Sequence, residues 1–477
     1  MDELMLVSVP QFTAPSYVAV TANEVQRCVN LYPEKTADGY VLVSTPGLDY
    51  PFAISGAPCR GAYSTPDGSL FYVHGTSLNG SMTLVGSTGP VYFADSELQV
   101  LIIEATSGLG YIYTFATGVL TQITDVNFPA ATHCTFQDGY FIVCDAGTGR
   151  YYLSALLNGL SWTPLKFATA ESRGDDLVGV YSNGQYLYLV GKISTEIHYN
   201  TGASSFPFER VNGTTLPCGA YSALTIANMS GSLFFRGSTG AFGGAVWQIS
   251  GTESKRISTP YIETIVRNFI DADCYAFCYQ IDGHAFYQLT CTGVANPYTF
   301  VYDISEGVWH QKESNISGTY TYDRLRTVVP YLNASDGNPK GFDNRFTALW
   351  VVGSRATPVN KEGTVDIRRE RIFGPIESGT KKVFHREIRF TTDIDCDFAI
   401  ITSVDCVLDW TDDNGRTYST ARTLTKAITA STIGQRVVFT ASRLGSSASR
   451  YYRLRFIGPA AKLILKGCDL DLEQGRF

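Results

Sequence analysis

Six histidines, eleven cysteines and one aspartate-rich turn are where chemistry could sit in this 477-residue chain. The histidines, His74, His133, His198, His284, His310 and His385, are dispersed at no ligand spacing, so isolated structural roles are expected of them. Cys274 and Cys278 are spaced C-x3-C, but no second Cys/His pair follows at zinc-finger spacing. The cysteines are odd in number and several fall inside apolar runs, which suits free buried thiols in a reducing compartment. Thr411-Asp412-Asp413-Asn414-Gly415-Arg416-Thr417-Tyr418 resembles the Asp-box turn of sialidases, with a poorer echo at Asn158-Gly159-Leu160-Ser161-Trp162. That turn is structural, since its carboxylate satisfies loop N–H groups. A glycosidase needs two carboxylates facing one pocket, and no spacing nominates a pair. No nucleophile elbow, zincin helix, P-loop or dinucleotide fingerprint is present. The expectation is no catalysis, no metal and no cofactor.

The elements that carry these residues are strands. Tyr and Phe number 29 and 27, Gly 45 and Met only 4, a composition suited to pleated sheets joined by tight turns. A turn followed by an aromatic or β-branched run recurs from Asp67-Gly68, Asp138-Gly139, Asn183-Gly184, Ser230-Gly231 and Asp282-Gly283, with a turnless relative at Leu98. Asp-Gly and Asn-Gly between apolar runs signal hairpins, and the later spacing of about 45–50 residues is that of one propeller blade. The fold expected is all-β: a β-propeller of about six blades over 55–352, then a C-terminal β-sandwich-like domain over 353–477. Residues 1–54 are expected to form an extended arm packing on the C-terminal domain or a neighbour. One helix is expected after Thr259-Pro260, with apolar residues at Ile262, Ile265, Val266 and Phe269.

Net charge is −7 over 37 basic and 44 acidic residues, unlike a general nucleic-acid binder. The balance is uneven: after Val352 there are 20 basic against 15 acidic residues, before it 17 against 29. The N-terminus MDELMLVSVPQF has acids where a signal peptide has cations, and no apolar run approaches the ~20 residues of a membrane span, so synthesis in a cytoplasm is expected. The sequons at Asn79 and Asn212 carry little weight on that route.

Ordered anchors point to a family. Asn30-Leu31-Tyr32-Pro33-Glu34, Thr45-Pro46-Gly47-Leu48 and Arg60-Gly61-Ala62-Tyr63 resemble the opening of the podovirus packaged-DNA stabilisation proteins, the P22-type tail accessory factors. Thr195–Asn200, Arg256–Glu263, Val301–Ser305 with Gly307–His310, Arg453–Phe456 and Leu465–Glu473 are similar to later motifs in the same order. The first dozen residues and the stretches around Asn333–Lys340 and Ser431–Ser449 do not match. The resemblance implies a structural tail hub or nozzle in the virion tail. It implies a hexameric ring below the portal-adaptor that closes the DNA exit channel, meets a tail needle or plug and tailspikes, and passes double-stranded DNA without sequence specificity.

On charge grounds, Arg368, Arg369, Arg371, Lys381, Lys382 and Arg386 are the expected contacts to an acidic adaptor or sister subunit. The rival reading is a glycan-binding or glycan-degrading, sialidase-like propeller. It requires Trp162, Trp247, Trp309 and Trp350 to share an open groove.

Overall fold

A computed structural model describes residues 6–14, 26–53, 58–170, 173–240, 243–293, 297–330, 338–343, 348–353, 361–379, 381–395, 402–429, 436–458 and 462–474. The boundary expected after residue 54 falls on 54–57, outside these, as do Asn333 and Ser431 of the unmatched stretches. The boundary expected between Val352 and Gly353 is at the end of the strand Ala348–Val352.

The architecture is a β-propeller, and each of the six turn-and-run copies is one of its blades. Blade 1 holds Cys59–Ser64, Leu70–His74, Ser77–Leu78 and Met82–Thr83. Blade 2 runs from Val91–Asp95 to Val119–Gln122, blade 3 from Ala131–Gln137 to Asn158–Thr169, and blade 4 from Leu177–Asn183 to Phe208–Arg210. Blade 5 centres on Ser232–Ser238 and Gly243–Ser250, and blade 6 runs from Cys274–Ile281 to Val308–Gln311. The turns explain the regularity. Asp138-Gly139, Ser230-Gly231 and Asp282-Gly283 have φ of 48° and 85°, 51° and 71°, and 53° and 88°. Two successive positive φ values give the turn whose twist matches antiparallel strands, and Asp-Gly adopts them at little cost.

A seventh sheet, which the repeat does not mark, lies between blades 6 and 1. Leu325–Val329, Lys340–Asp343 and Ala348–Val352 are joined at the outer edge by Leu48–Ala53, whose Leu48 pairs with Val352 and Ala53 with Ala348. Its first two strands are linked by residues 330–339 rather than a two-residue turn, which hides it from a turn-based pattern. One apolar cluster fills each seam between neighbouring sheets. The seam between blade 1 and the seventh sheet is small, with Cys59, Val329 and Phe342 fully buried.

The expected helix spans Pro260–Val266, between blades 5 and 6. The Thr259 hydroxyl accepts the Ile262 N–H (3.4 Å), Pro260 fills a first-turn position, and Ile262 and Val266 are buried.

The C-terminal residues form two sheets around one core. One has Leu31–Thr36, Gly39–Ser44, Lys462–Gln474, Val383–Asp395 and Arg436–Ser442, with Leu6–Ser8 on Lys462–Gln474. The other has Arg27–Val29, Arg368–Glu377, Ser449–Ile457, Ser403–Thr411 and Arg422–Ala427. Phe12, Leu31 and Leu42 from the N-terminal segment pack there with Phe373, Phe390, Phe439 and Phe456. Arg27–Val29 also runs parallel to Val308–Gln311, with Val29 opposite Gln311, so the second sheet and blade 6 are one continuous nine-stranded sheet.

Candidate functional site at the propeller axis and seam

The innermost strands of all seven sheets surround a cavity of about 350 Å³. It is lined by aromatic side chains. The His133 ring lies between Tyr92 (4.4 Å) and Tyr181 (4.5 Å), and Tyr63 stacks on Phe93 at 6.0 Å. The Arg326 guanidinium sits over the Tyr275 ring at 4.3 Å. Nδ1 of His133 accepts the Val180 N–H (3.5 Å), which leaves the proton of the neutral ring on Nε2. Burial lowers this imidazole to about 3, so it is neutral at physiological pH. At ~30 Å³ per water the cavity holds on the order of a dozen waters.

The second feature is the seam between blade 6 and the C-terminal sheets. Asn30 sits there at φ 54°, 1% exposed. Its side-chain nitrogen donates to the carbonyls of Glu313 (3.0 Å) and Arg368 (2.8 Å), and its oxygen accepts the Glu313 N–H (3.1 Å). Asparagine tolerates the left-handed region better than most residues. Arg368 grips both carboxylate oxygens of Glu313 (2.7 and 2.8 Å) and lies over the Tyr320 ring. Arg27 donates to Gln311 (3.1 Å) and pairs with Glu370 (3.7 Å). Arg27, Gln311, Glu313, Tyr320 and Arg368 border a polar pocket of about 330 Å³.

A family model described as bacteriophage P22 Gp10, beta-propeller (Phage_stabilise), matches residues 20–335. The chain belongs to this family. No curated protein sequence matches it. Among solved structures it is similar to a streptogramin B lyase (11% identity, 65% of this chain and 96% of that one, TM-score 0.39). It is also similar to virginiamycin B lyase from Staphylococcus aureus (11%, 67% and 97%, TM-score 0.42). A third is the Cps50 (Swd1) beta-propeller domain of Myceliophteria thermophila (8%, 64% and 99%, TM-score 0.42).

In this phage propeller the arginines expected at the surface are partly internal. Arg369 and Arg371 are 0% and 1% exposed and Arg368 is half-buried on Glu313, so these three do not form a docking patch. Arg371 and Phe373 face the core around Phe12, while Arg368 turns the other way to Glu313 and Tyr320. Arg371 donates to the carbonyls of Phe12 (2.8 Å), Arg27 (3.3 Å), Ala14 (3.0 Å) and Gln11, pinning the N-terminal segment to the core. Arg369 has no hydrogen-bond partner among the described residues, and burial lowers it to about 10. Lys381, Lys382 and Arg386 are exposed, with Arg386 paired to Glu473. Other arginines of the basic quarter are spent internally: Arg450 on Asp412 (2.6 Å), Arg453 and Arg455 on Asp409 (both 2.6 Å).

The aspartate-rich turn is a tight loop. Thr411 donates to Asp413 (2.7 Å), and Asp413 accepts the Thr417 N–H (2.9 Å) and hydroxyl (2.6 Å), which lowers it to about 2. The tryptophans stand in four different sheets. Trp162, Trp309 and Trp350 are 2–4% exposed, and the Trp162 and Trp309 indoles donate to the Gly159 and Ile257 carbonyls, both 2.8 Å. The shared groove of the glycan reading is not formed by these rings. Among the described residues no His/Cys/Asp/Glu group has metal-binding geometry, and the ten described cysteines are free thiols. Among the described residues no helix is long and apolar enough to cross a membrane. Sequence reasoning missed the side-chain role of Asn30; the available signal was an asparagine ending a short apolar run before Leu31-Tyr32-Pro33.

Proposed function

We propose that this chain is the tail hub, or nozzle, of a short-tailed phage. Copies form a ring, in the family's reading a hexamer, below the portal-adaptor. The ring carries the DNA exit channel onward to a needle or plug, beside tailspikes, and helps hold the packaged genome. The observation that carries this beyond family membership is the narrow axis. A propeller whose own axis is reduced to a cavity of about 350 Å³ walled by Tyr92, His133 and Tyr181 offers no bore for a duplex, which supports a lumen enclosed by several copies. The deficit of basic residues before Val352 suits such a lumen, because fixed cations would grip phosphates without regard to sequence. Lys381, Lys382 and Arg386 remain the exposed cations of the expected docking set and are assigned to an acidic adaptor or sister subunit. Native mass spectrometry and negative-stain imaging of the chain, alone and with its adaptor, test this. A ring with a duplex-wide hole is expected; a monomer in both samples overturns it.

A further inference from the structure

The axial cavity has a feature that a narrow axis alone does not require. Its walls are aromatic and, among the described residues, no carboxylate lines it. Two arginines reach it. Arg60 is committed: it donates to the Gly75, Gly86, Gly89 and Thr88 carbonyls at 2.6–2.8 Å and pairs with Glu104 at 3.1 Å. Arg326 makes no hydrogen bond or ion pair among the described residues, and its guanidinium lies over the Tyr275 ring at 4.3 Å. That contact leaves its N–H groups unused, and a guanidinium fork is suited to bidentate capture of a carboxylate. The Tyr275 hydroxyl is buried and meets Thr290, the residue opposite it on the neighbouring strand, so the ring acts here as a platform for Arg326. Tyr63, Phe93 and Arg326 are half-buried, so the cavity communicates with solvent. Its volume lies at the lower end of the ~300–1,000 Å³ of small-molecule sites.

We propose that this axial cavity is a binding site for a small aromatic carboxylate. The carboxylate pairs with Arg326, and the ring lies against Tyr92, His133 and Tyr181. A flat ring gains from offset or edge-on contact with aromatic walls. Electrostatics exclude a cationic ligand, because the one uncommitted charge facing the space is positive. Phosphate alone gains the ion pair and none of the ring contacts.

The test is calorimetric titration of the full chain with 4-hydroxyphenylacetate, and in parallel with its neutral amide 4-hydroxyphenylacetamide and with inorganic phosphate. Saturable binding of the carboxylate below about 1 mM is expected, with the amide weaker by about 10- to 100-fold. Arg326→Gln should weaken the carboxylate by the same factor and leave the amide unchanged. If Arg326→Gln does not fold, as judged by its melting transition, the carboxylate–amide comparison on the unaltered chain decides. No saturation by 4-hydroxyphenylacetate, equal affinity for acid and amide, or phosphate binding as tightly as the aromatic acid each overturns the proposal. Ring assembly is scored separately, so failure here leaves the hub reading standing.

Discussion

The Asn30 side chain brackets the Glu313 backbone, donating to its carbonyl at 3.0 Å and accepting its N–H at 3.1 Å. Two residues separated by most of the propeller are thereby joined as a strand pair would join them, at the point where the chain crosses from blade 6 to the C-terminal sheets. The side chain also holds the Arg368 carbonyl, so three segments meet on one amide.

Asn30→Ala removes three buried hydrogen bonds and puts a Cβ residue without local polar support at φ 54°. A loss of about 3–5 kcal/mol is expected from the unmet backbone groups and the conformation together. Asn30→Gly keeps the conformation cheap and isolates the bonds, so it should lose about 1–2 kcal/mol less. Urea unfolding of both variants measures the split; equal losses would show that the φ value contributes nothing.

Neighbouring arginines should respond oppositely to one substitution. Arg371→Met strips four carbonyls of their donor and should destabilise by about 3–5 kcal/mol. Arg369→Met removes a buried guanidinium with no hydrogen-bond partner among the described residues and should be neutral or stabilising, by up to about 3 kcal/mol. Chemical unfolding of the pair checks the sign, and a destabilised Arg369→Met would be the contrary result.

Acid sensitivity should track three buried histidines. Burial lowers His133 and His310 to about 3 and His385 to about 4, from an ordinary 6.5. The unfolded chain takes up protons that the folded chain refuses, so stability is full above about pH 6.5 and is lost as pH falls toward 4–3. Each group contributes a slope of about 1.4 kcal/mol per pH unit in that window. Among the described residues neither His310 nitrogen has a hydrogen-bond partner, and Phe286 and Tyr32 pack against the ring. His310→Phe should therefore stabilise the chain at pH 5 and reduce the acid slope by about a third. Unfolding midpoints from pH 7 to 4 measure it; an unchanged slope would count against the assignment.

Asp413 is held low by Thr417 and Thr411, so its contribution is present above about pH 4 and lost as pH falls toward 2. Asp413→Asn should loosen the 411–417 turn at neutral pH, seen as faster amide exchange at Gly415 and Thr417, while thermal unfolding of the propeller stays put.

The sequence made the blades legible because their information is local. Asp138-Gly139 and Asp282-Gly283 carry their conformation in two residues, and the runs after them alternate or fill with apolar side chains. The helix was equally readable from Thr259-Pro260. The seventh sheet was not, since Leu48–Ala53 and Ala348–Val352 become neighbours only after the ring has formed. The charge pattern misled for a related reason. Arg368, Arg369 and Arg371 alternate with little apolar relief, as on an exposed strand, but Arg371 faces the core around Phe12 and Arg368 turns to Glu313, both distant in sequence. The axial cavity was invisible too, because its walls come one strand per blade.

The strand Leu48–Ala53 has a consequence for synthesis. It leaves the ribosome before any blade exists, yet its partner Ala348–Val352 emerges some 300 residues later. At ~5–20 residues per second, that interval is roughly 15–60 s. Through it, the nascent chain holds one open sheet edge in waiting, and the ring stays a crescent with both ends unsealed. Truncated or stalled copies are therefore left with the propeller unclosed.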